Sequence, residues 1–218
     1  MSVTNLKRST KGLLSLSILG AFIILLRIIL KHEYKFSFLI WNLFLAWIPF
    51  WLILLAEKTR QKSLRFLILF VWLLFFPNAP YIITDLLHLK NYTHNIPWYD
   101  SLTIFTFAST GVLIALHTLQ KTHQILENYA RPPVVWALMT LCSFLTGFGV
   151  YLGRYCRLNI WDLFNRPFWF AGRILHQFEN PLTYKFTLTF SFVFFAFYYI
   201  YINFFAPESK VEMKKAGV

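Results

Sequence analysis

Six apolar segments, each long enough to form one membrane-crossing helix of about twenty residues, dominate the sequence. Their approximate bounds are 13–30, 36–56, 64–83, 101–119, 134–153 and 186–206. Only helices and closed barrels satisfy every backbone hydrogen bond within lipid. The pattern therefore predicts an all-α integral membrane protein, a bundle of six transmembrane helices in a single polytopic domain over residues 1–218.

The composition bears on the class of partner. Hydrophobic residues make up 57% of the chain and charged residues 14%, whereas soluble domains carry about 25% charged residues. The net charge of +12 would suit nucleic acid, but the basic residues flank apolar segments and form no aromatic-studded basic stretch. We therefore expect a lipid bilayer, with anionic lipid headgroups near the basic residues, and no nucleic acid.

The distribution of Lys and Arg predicts the orientation. The amino terminus, the second and fourth connections and the tail are basic, so the positive-inside rule places both termini in the cytoplasm. The fifth connection opposes this rule with Arg154, Arg157, Arg166, Arg173 and Lys185, which we interpret as site or interface residues. The first apolar run has a basic start but no small-residue cleavage site after it, so we expect a retained helix, not a signal peptide.

The most informative stretch is FFPNAPYIITDLLH, residues 75–88, where the third apolar segment meets two prolines. Proline removes a backbone donor and disfavours helix in the preceding residue, so a kink or an unwound turn is expected. Asn78 is well placed to bridge the carbonyl groups that the break frees. Broken helices mark binding sites in many transporters. The alternative is an ordinary helix end, with Pro80 in the first turn of a short following helix.

Tyr81, Asp85 and His88 follow at spacings that place them on one face of an α-helix. With Asp100 added, Asp-x-x-His could hold zinc, or Asp85 could act as a general base that His88 assists. Capping and ion pairing are the alternative roles. Asp100 itself is typical of an N-cap for the fourth helix. We assign no metal, and the sequence identifies no cofactor.

A second polar stretch, GRYCRLNIWD, spans residues 153–162. Arg154 and Arg157 share one face if the fifth helix continues, and two guanidinium groups suit phosphate or carboxylate. Charges near hydrocarbon are costly unless paired, so we expect Asp85 close to one arginine, with the other free for an anion. A purely structural network of arginines and aspartates is the alternative. The candidate substrate-binding residues are Asn78, Tyr81, Asp100, Arg154, Arg157, Asn159, Trp161 and Asp162.

Residues 166–178 predict a short amphipathic helix on the extracytoplasmic surface, too short and polar to span the membrane. Its apolar residues recur at helical spacing, and Arg173, His176 and Gln177 lie opposite them. Gly149 and Gly153 predict close helix packing in the fifth segment.

The remaining titratable side chains give weaker signals. His117 and His123 flank the cytoplasmic end of the fourth segment, and we interpret both as solvated or interfacial. Cys142 and Cys156 have neither redox nor metal-finger spacing, so no disulfide is expected.

The stretches PNAPYIITDLLHL and YLGRYCRLNIWDLFNRP resemble the two signature motifs of a bacterial membrane-protein family, the domain of unknown function 1361 (DUF1361). Leu158 and Ile160 depart from the Arg-Trp-Asn-Ser-Trp-Asp run expected for the family. The resemblance implies a multi-pass protein of the bacterial cytoplasmic (inner) membrane and supplies no activity.

Three classes of function remain open. The first is an enzyme or receptor for an anionic, phosphate-bearing lipid or envelope precursor, in which Asp85 and His88 would be catalytic and Arg154 and Arg157 would hold the anion. The second is a transporter or transporter subunit, and the third is a non-catalytic scaffold. The middle of each apolar segment lacks Asp, Glu, Lys and Arg, which counts against ion-coupled transport.

Overall fold

Helices form the ordered framework of the chain. The computed structural model describes residues 3–31, 34, 36–90 and 96–205, and this part contains no strand. The helices are α1 (Val3–Lys31), α2 (Phe38–Lys58), α3 (Lys62–Phe75), α4 (Asn78–Tyr81), a 3₁₀ helix (Ile82–Lys90), α5 (Pro97–Leu126), α6 (Pro132–Tyr155), α7 (Ile160–Asn165), α8 (Pro167–Gln177) and α9 (Pro181–Phe205).

Among the described residues, six stretches are long and apolar enough to cross a membrane. They are Ser9–Ile29, Phe38–Lys58, Lys62–Leu89, Pro97–Leu126, Pro132–Tyr155 and Pro181–Phe204. Each corresponds to one of the apolar segments identified in the sequence. The predicted all-α fold with six membrane-crossing helices is confirmed.

The fourth spanning helix, α5, continues past its predicted end because its polar final turns are buried by neighbouring helices. Lys121 Nζ donates a 2.7 Å hydrogen bond to Glu57 Oε1 on α2. His123 Nδ1 lies 2.7 Å from the Tyr198 hydroxyl on α9. Of the two roles expected for His117 and His123, solvated or interfacial, the solvated one is wrong, since their side chains are 2% and 7% exposed.

Small residues set how closely the helices approach. A Cβ atom at Gly111 on α5 would collide with the carbonyl oxygen of Ala79, so the backbone of α4 lies directly against α5. A Cβ at Gly149 on α6 would lie 2.6 Å from Pro77, and one at Gly153 would lie 3.2 Å from the Tyr81 ring. The close packing predicted at Gly149 and Gly153 is confirmed. The broken third span therefore packs closely between α5 and α6.

The bundle has two ends. The α6–α7 end contains the 3₁₀ helix, the start of α5 and the helices α7 and α8. The α2–α3 end contains the turn between those helices and the buried final turns of α5. The three aspartates of the chain, residues 85, 100 and 162, all lie at the α6–α7 end. The sequence prediction that this end is extracytoplasmic requires a separate test.

We expect a cysteine at exposed Glu179 to be labelled from outside intact cells by a membrane-impermeant thiol reagent. A cysteine at exposed Gln61 should be labelled only after the membrane is opened, because it lies at the opposite end of the bundle. Each cysteine is introduced separately into a variant in which Cys142 and Cys156 are replaced by alanine. Labelling of position 61 alone in intact cells would invert the proposed orientation.

Candidate functional site

The third spanning helix breaks at the two prolines. α3 ends at Phe75, a turn follows, α4 makes one turn, and a nine-residue 3₁₀ helix begins at Ile82. Asn78 Nδ2 donates a 2.9 Å hydrogen bond to the Phe75 carbonyl, which is the bridging role predicted for this side chain. Pro80 lies within α4, so the break and the short following helix coexist. Runs of 3₁₀ helix longer than three or four residues are uncommon and often mark functional sites.

The 3₁₀ geometry changes which side chains share a face. Residues three apart are eclipsed in a 3₁₀ helix, and His88 Nε2 lies 3.7 Å from Asp85 Oδ1. The α-helical spacing that grouped Tyr81 with these two residues does not hold here. The Tyr81 ring instead packs against Gly153 of α6.

Asp85 is the centre of a buried polar cluster. Its side chain is 1% exposed. Its Oδ2 accepts a 2.8 Å hydrogen bond from Asn42 Nδ2, and its Oδ1 accepts a 3.1 Å bond from Arg154 Nη1. The predicted proximity of Asp85 to one of the two arginines is confirmed. Both carboxylate oxygens are engaged, as a buried carboxylate requires.

His88 completes this cluster. Its Nε2 lies 3.1 Å from Arg154 Nη1, and because a guanidinium group can only donate, Nε2 is the acceptor. The geometry therefore assigns the neutral tautomer with its proton on Nδ1. The imidazole ring also packs on Phe38, with 5.0 Å between ring centroids. In this arrangement the Nε2 lone pair of His88 accepts a hydrogen bond from Arg154.

Asp100 belongs to a second buried ion pair, which the sequence analysis missed. Arg27 Nε donates to Asp100 Oδ1 at 2.9 Å and Nη2 donates to Oδ2 at 3.0 Å, and these side chains are 5% and 1% exposed. The N-cap interpretation of Asp100 is wrong, because α5 begins at Pro97 and Ile96 is its cap. A single arginine inside an apolar segment requires an acidic partner. The position of Arg27 in the first apolar segment was therefore the sequence signal for this ion pair.

Aromatic rings connect the two ion pairs. The Arg27 guanidinium lies 5.0 Å from the centroid of the Phe36 ring. Phe36 contacts Phe38 at 6.3 Å, and Phe38 contacts His88. The start of α2 therefore fills the space between the ion pair on α5 and the cluster on the 3₁₀ helix.

Arg157 differs from Arg154 in position and environment. α6 ends at Tyr155, and Arg157 has a left-handed backbone with φ 53°, so the two arginines do not share a helical face. This conformation lets the Leu158 N–H donate back to the Leu152 carbonyl at 3.2 Å, which terminates the helix. Arg157 is exposed and forms no ion pair within the described part of the chain.

Asp162 lies outside the Asp85 cluster. Its Oδ2 accepts a 2.8 Å hydrogen bond from the Asn159 backbone N–H, so it caps the short helix α7. It forms no ion pair among the described residues. Trp161 is exposed, and its ring contacts Phe75 edge-on at 6.2 Å. Asp162 is therefore not part of a network with the two arginines, because local capping satisfies its carboxylate.

A cavity of about 450 Å³ lies beside the cluster. Its walls come from α2, α3, α4 and α6, and side chains of α7 and α8 cover it. Most of the lining is apolar, and the polar side chains are Asn42, Asn78, Tyr81 and Asn159. Asn42 also donates to Asp85, so one wall of the cavity is tied to the ion pair. Asn42 was missed because it stands alone in an apolar segment.

The family is decided by a match between residues 41–197 and a family model described as "Protein of unknown function (DUF1361)". The chain belongs to the DUF1361 family. The resemblance predicted from the two polar stretches is confirmed. No curated protein and no solved structure matches the chain.

The matched region of this DUF1361 protein runs from α2 into α9. It includes the broken third span, the Asp85 cluster, the cavity and the covering helices. Arg27 lies outside the matched region. The family model therefore covers the residues that could form a binding site and supplies no activity for them.

Helix α8 of this DUF1361 protein corresponds to the predicted amphipathic helix and has two apolar sides. Phe170 and Ile174 line the cavity, whereas Phe168 is 92% exposed on the other side. Gln177 was expected on the polar face but is buried, because its Oε1 accepts a 3.0 Å hydrogen bond from the Tyr151 hydroxyl. The helix is confirmed, and its position on a membrane surface stays a prediction.

Two kinds of chemistry find little support in the geometry of this DUF1361 protein. The described residues contain no group of three His, Cys, Asp or Glu side chains that could hold a metal ion. Burial raises the pKa of the Cys156 thiol, despite the nearby charge of Arg173, which makes a thiolate nucleophile unfavourable there. Catalysis by Asp85 and His88 stays a prediction, and anion binding is what the arginines are suited to.

Proposed function

We propose that this protein binds an anionic, phosphate-bearing amphiphile, either a lipid or a lipid-linked envelope precursor, at the extracytoplasmic face of the bacterial inner membrane. The observation that carries the proposal is the cavity beneath α7 and α8, which combines apolar walls with a few polar groups. Its lining includes Leu158 and Asn159, the two residues that follow exposed Arg157. The apolar part of the ligand would occupy the cavity. Its phosphate would lie at Arg157.

The cavity has the properties of a ligand site. Its volume of about 450 Å³ falls within the range of about 300–1,000 Å³ that is usual for such sites. Three asparagines and one tyrosine can orient a polar group, while the apolar remainder suits a hydrocarbon chain. Leu158 and Asn159, the two residues that follow Arg157, both line the cavity, so the backbone of Arg157 adjoins the cavity lining.

The distribution of charge supports an anion at Arg157. The charge of Arg154 is balanced by Asp85 at 3.1 Å. Arg157 has no ion-pair partner in the described ranges, and Asp162, the nearest aspartate in sequence, is engaged in capping α7. A guanidinium group without a carboxylate partner can offer two parallel donors to a phosphate. If the bound molecule is also processed, Asp85 and His88 are the candidate catalytic pair.

A transporter is the second candidate, because the third span is broken and a cavity lies against the break. This alternative predicts that the bound molecule crosses to the other side of a sealed vesicle. The ion pairs Asp85–Arg154 and Glu57–Lys121 lie at opposite ends of the bundle, away from the bilayer midplane where coupling sites usually lie. Binding without transport therefore agrees better with the arrangement.

Dodecyl phosphate should stabilise the purified protein in phosphatidylcholine nanodiscs, and dodecanol should not. At a free concentration 100 times its Kd, a ligand that binds only the folded state adds about 2.7 kcal/mol of stability. The measurement is the unfolding temperature over a concentration series of each compound.

Arg157→Gln should remove the difference between the phosphate and the alcohol, because it removes the charge at the edge of the cavity. Arg166→Gln is the matched control, since Arg166 is an exposed arginine outside the cavity lining. Equal stabilisation by the two compounds, or an unchanged response in Arg157→Gln, would show that no phosphate site exists at Arg157.

A further inference from the structure

A groove lies on the other side of the broken third span, between the 3₁₀ helix, α5 and α9. Its volume is about 510 Å³. Pro77, Asn78 and Tyr81 line the first cavity. Pro80, Ile83, Thr84 and Leu87 line this groove. The broken segment is therefore a wall with a ligand-sized space on each side.

The lining of the groove is almost entirely apolar. Its polar side chains are Thr84, Lys185 and Thr189, and the Thr84 hydroxyl already donates to the Tyr81 carbonyl at 2.7 Å. The surrounding helices are three of the membrane-crossing stretches. An apolar groove between membrane-crossing helices offers water few hydrogen-bond partners, so a lipid chain is the occupant that its chemistry favours.

The length of the groove fits one leaflet of a bilayer. Along α9 its lining runs from Leu182 and Lys185 to Phe197. Phe197 lies twelve positions after Lys185, a rise of about 18 Å in an α-helix. Half of a hydrocarbon core of roughly 30 Å is about 15 Å. An acyl chain that enters beside Lys185 would therefore reach the middle of the bilayer at Phe197.

Lys185 supplies the charge at the shallow end of the groove. It lies in the second turn of α9, is exposed, and forms no ion pair within the described ranges. An ammonium group at the level of the headgroups can pair with the phosphate of an anionic lipid. The ammonium group and the apolar groove below it match the two parts of such a lipid.

We propose that this groove binds an anionic phospholipid, with its phosphate at Lys185 and one acyl chain along α9 as far as Phe197. The site is separate from the cavity at Arg157, so it does not depend on the function proposed above. It would hold a bilayer lipid against the side of the broken third span that faces away from the Arg157 cavity.

The test uses the full-length protein in nanodiscs that contain equal amounts of phosphatidylglycerol and phosphatidylcholine. One of the two lipids at a time carries a photoreactive acyl chain, and the cross-linked peptides are mapped by mass spectrometry. We expect several-fold more cross-linking of residues 185–197 by phosphatidylglycerol than by phosphatidylcholine. Lys185→Gln should lower the phosphatidylglycerol signal to the phosphatidylcholine level.

Two further variants make the outcome specific. Arg173→Gln removes an exposed charge from α8 outside the groove and should leave the preference unchanged. Thr189→Trp fills the groove and should lower cross-linking by both lipids. Equal cross-linking by the two lipids in the unmodified protein, or an unchanged preference in Lys185→Gln, would overturn the proposal. Dodecyl phosphate should still stabilise Lys185→Gln, which separates this test from that of the Arg157 cavity.

Discussion

Asp85→Ala is expected to destabilise the protein by about 3–5 kcal/mol, because it leaves the largely buried charge of Arg154 without its partner. The same change removes the acceptor of Asn42 and the group next to His88. The measurement is unfolding in detergent, followed by circular dichroism as denaturant is added. Asp162→Ala is the matched control and should cost about 0.5–2 kcal/mol, since Asp162 only caps a short helix.

The double variant Asp85→Leu with Arg154→Met should recover most of the lost stability, because replacing both members of a buried ion pair by apolar residues is often nearly neutral. It should still bind dodecyl phosphate more weakly than the unmodified protein. Asn42 lines the cavity and is held in place by Asp85, so its amide loses its orientation. If Asp85→Ala were no more destabilising than Asp162→Ala, the cluster would not be a buried ion pair.

Arg27→Ala should have an effect of similar size, about 3–5 kcal/mol, because Asp100 would then be buried without a partner. Here the double variant Arg27→Met with Asp100→Leu should recover both stability and dodecyl phosphate binding. Neither residue lines the cavity. The readouts are the same denaturant titration and the same ligand series.

The comparison between the two pairs is informative because both are buried and both join distant parts of the chain. A loss of ligand binding in the Arg27–Asp100 double variant would place that pair in the binding site. If the Asp85–Arg154 double variant recovered both stability and ligand binding, that pair would have only a structural role, joining the 3₁₀ helix to α6.

The sequence was sufficient where a local rule operates. Apolar length placed the six spans, and the prolines at 77 and 80 placed the break and the role of Asn78. The pairing of Asp85 with one of the two arginines followed from the cost of leaving either charge alone near hydrocarbon, and the structure shows that the partner is Arg154. These inferences need only the residue and its surroundings in the membrane.

Inference from the sequence failed where tertiary packing decides. The polar final turns of α5 were interpreted as a connection between helices, because the residues that bury and pair them, such as Glu57 and Tyr198, lie on other helices. Arg27 was counted as part of an apolar segment, because mean hydropathy is taken over many residues and one charged residue changes it little. The left-handed backbone at Arg157 has no sequence signal of its own, since this conformation usually favours glycine or asparagine.

The nine-residue 3₁₀ helix makes the third span longer than an α-helix of the same residues would be. These residues extend about 18 Å at 2.0 Å per residue, and an α-helix of the same residues would extend about 13.5 Å. The difference of about 4.5 Å is similar to the few ångströms by which cellular membranes differ in thickness. Conversion to α-helix would also rotate His88 about 60° away from Asp85, because residues three apart are no longer eclipsed. We expect a thinner bilayer to favour that shorter form, in which the contacts of His88 with Asp85 and Arg154 would be lost.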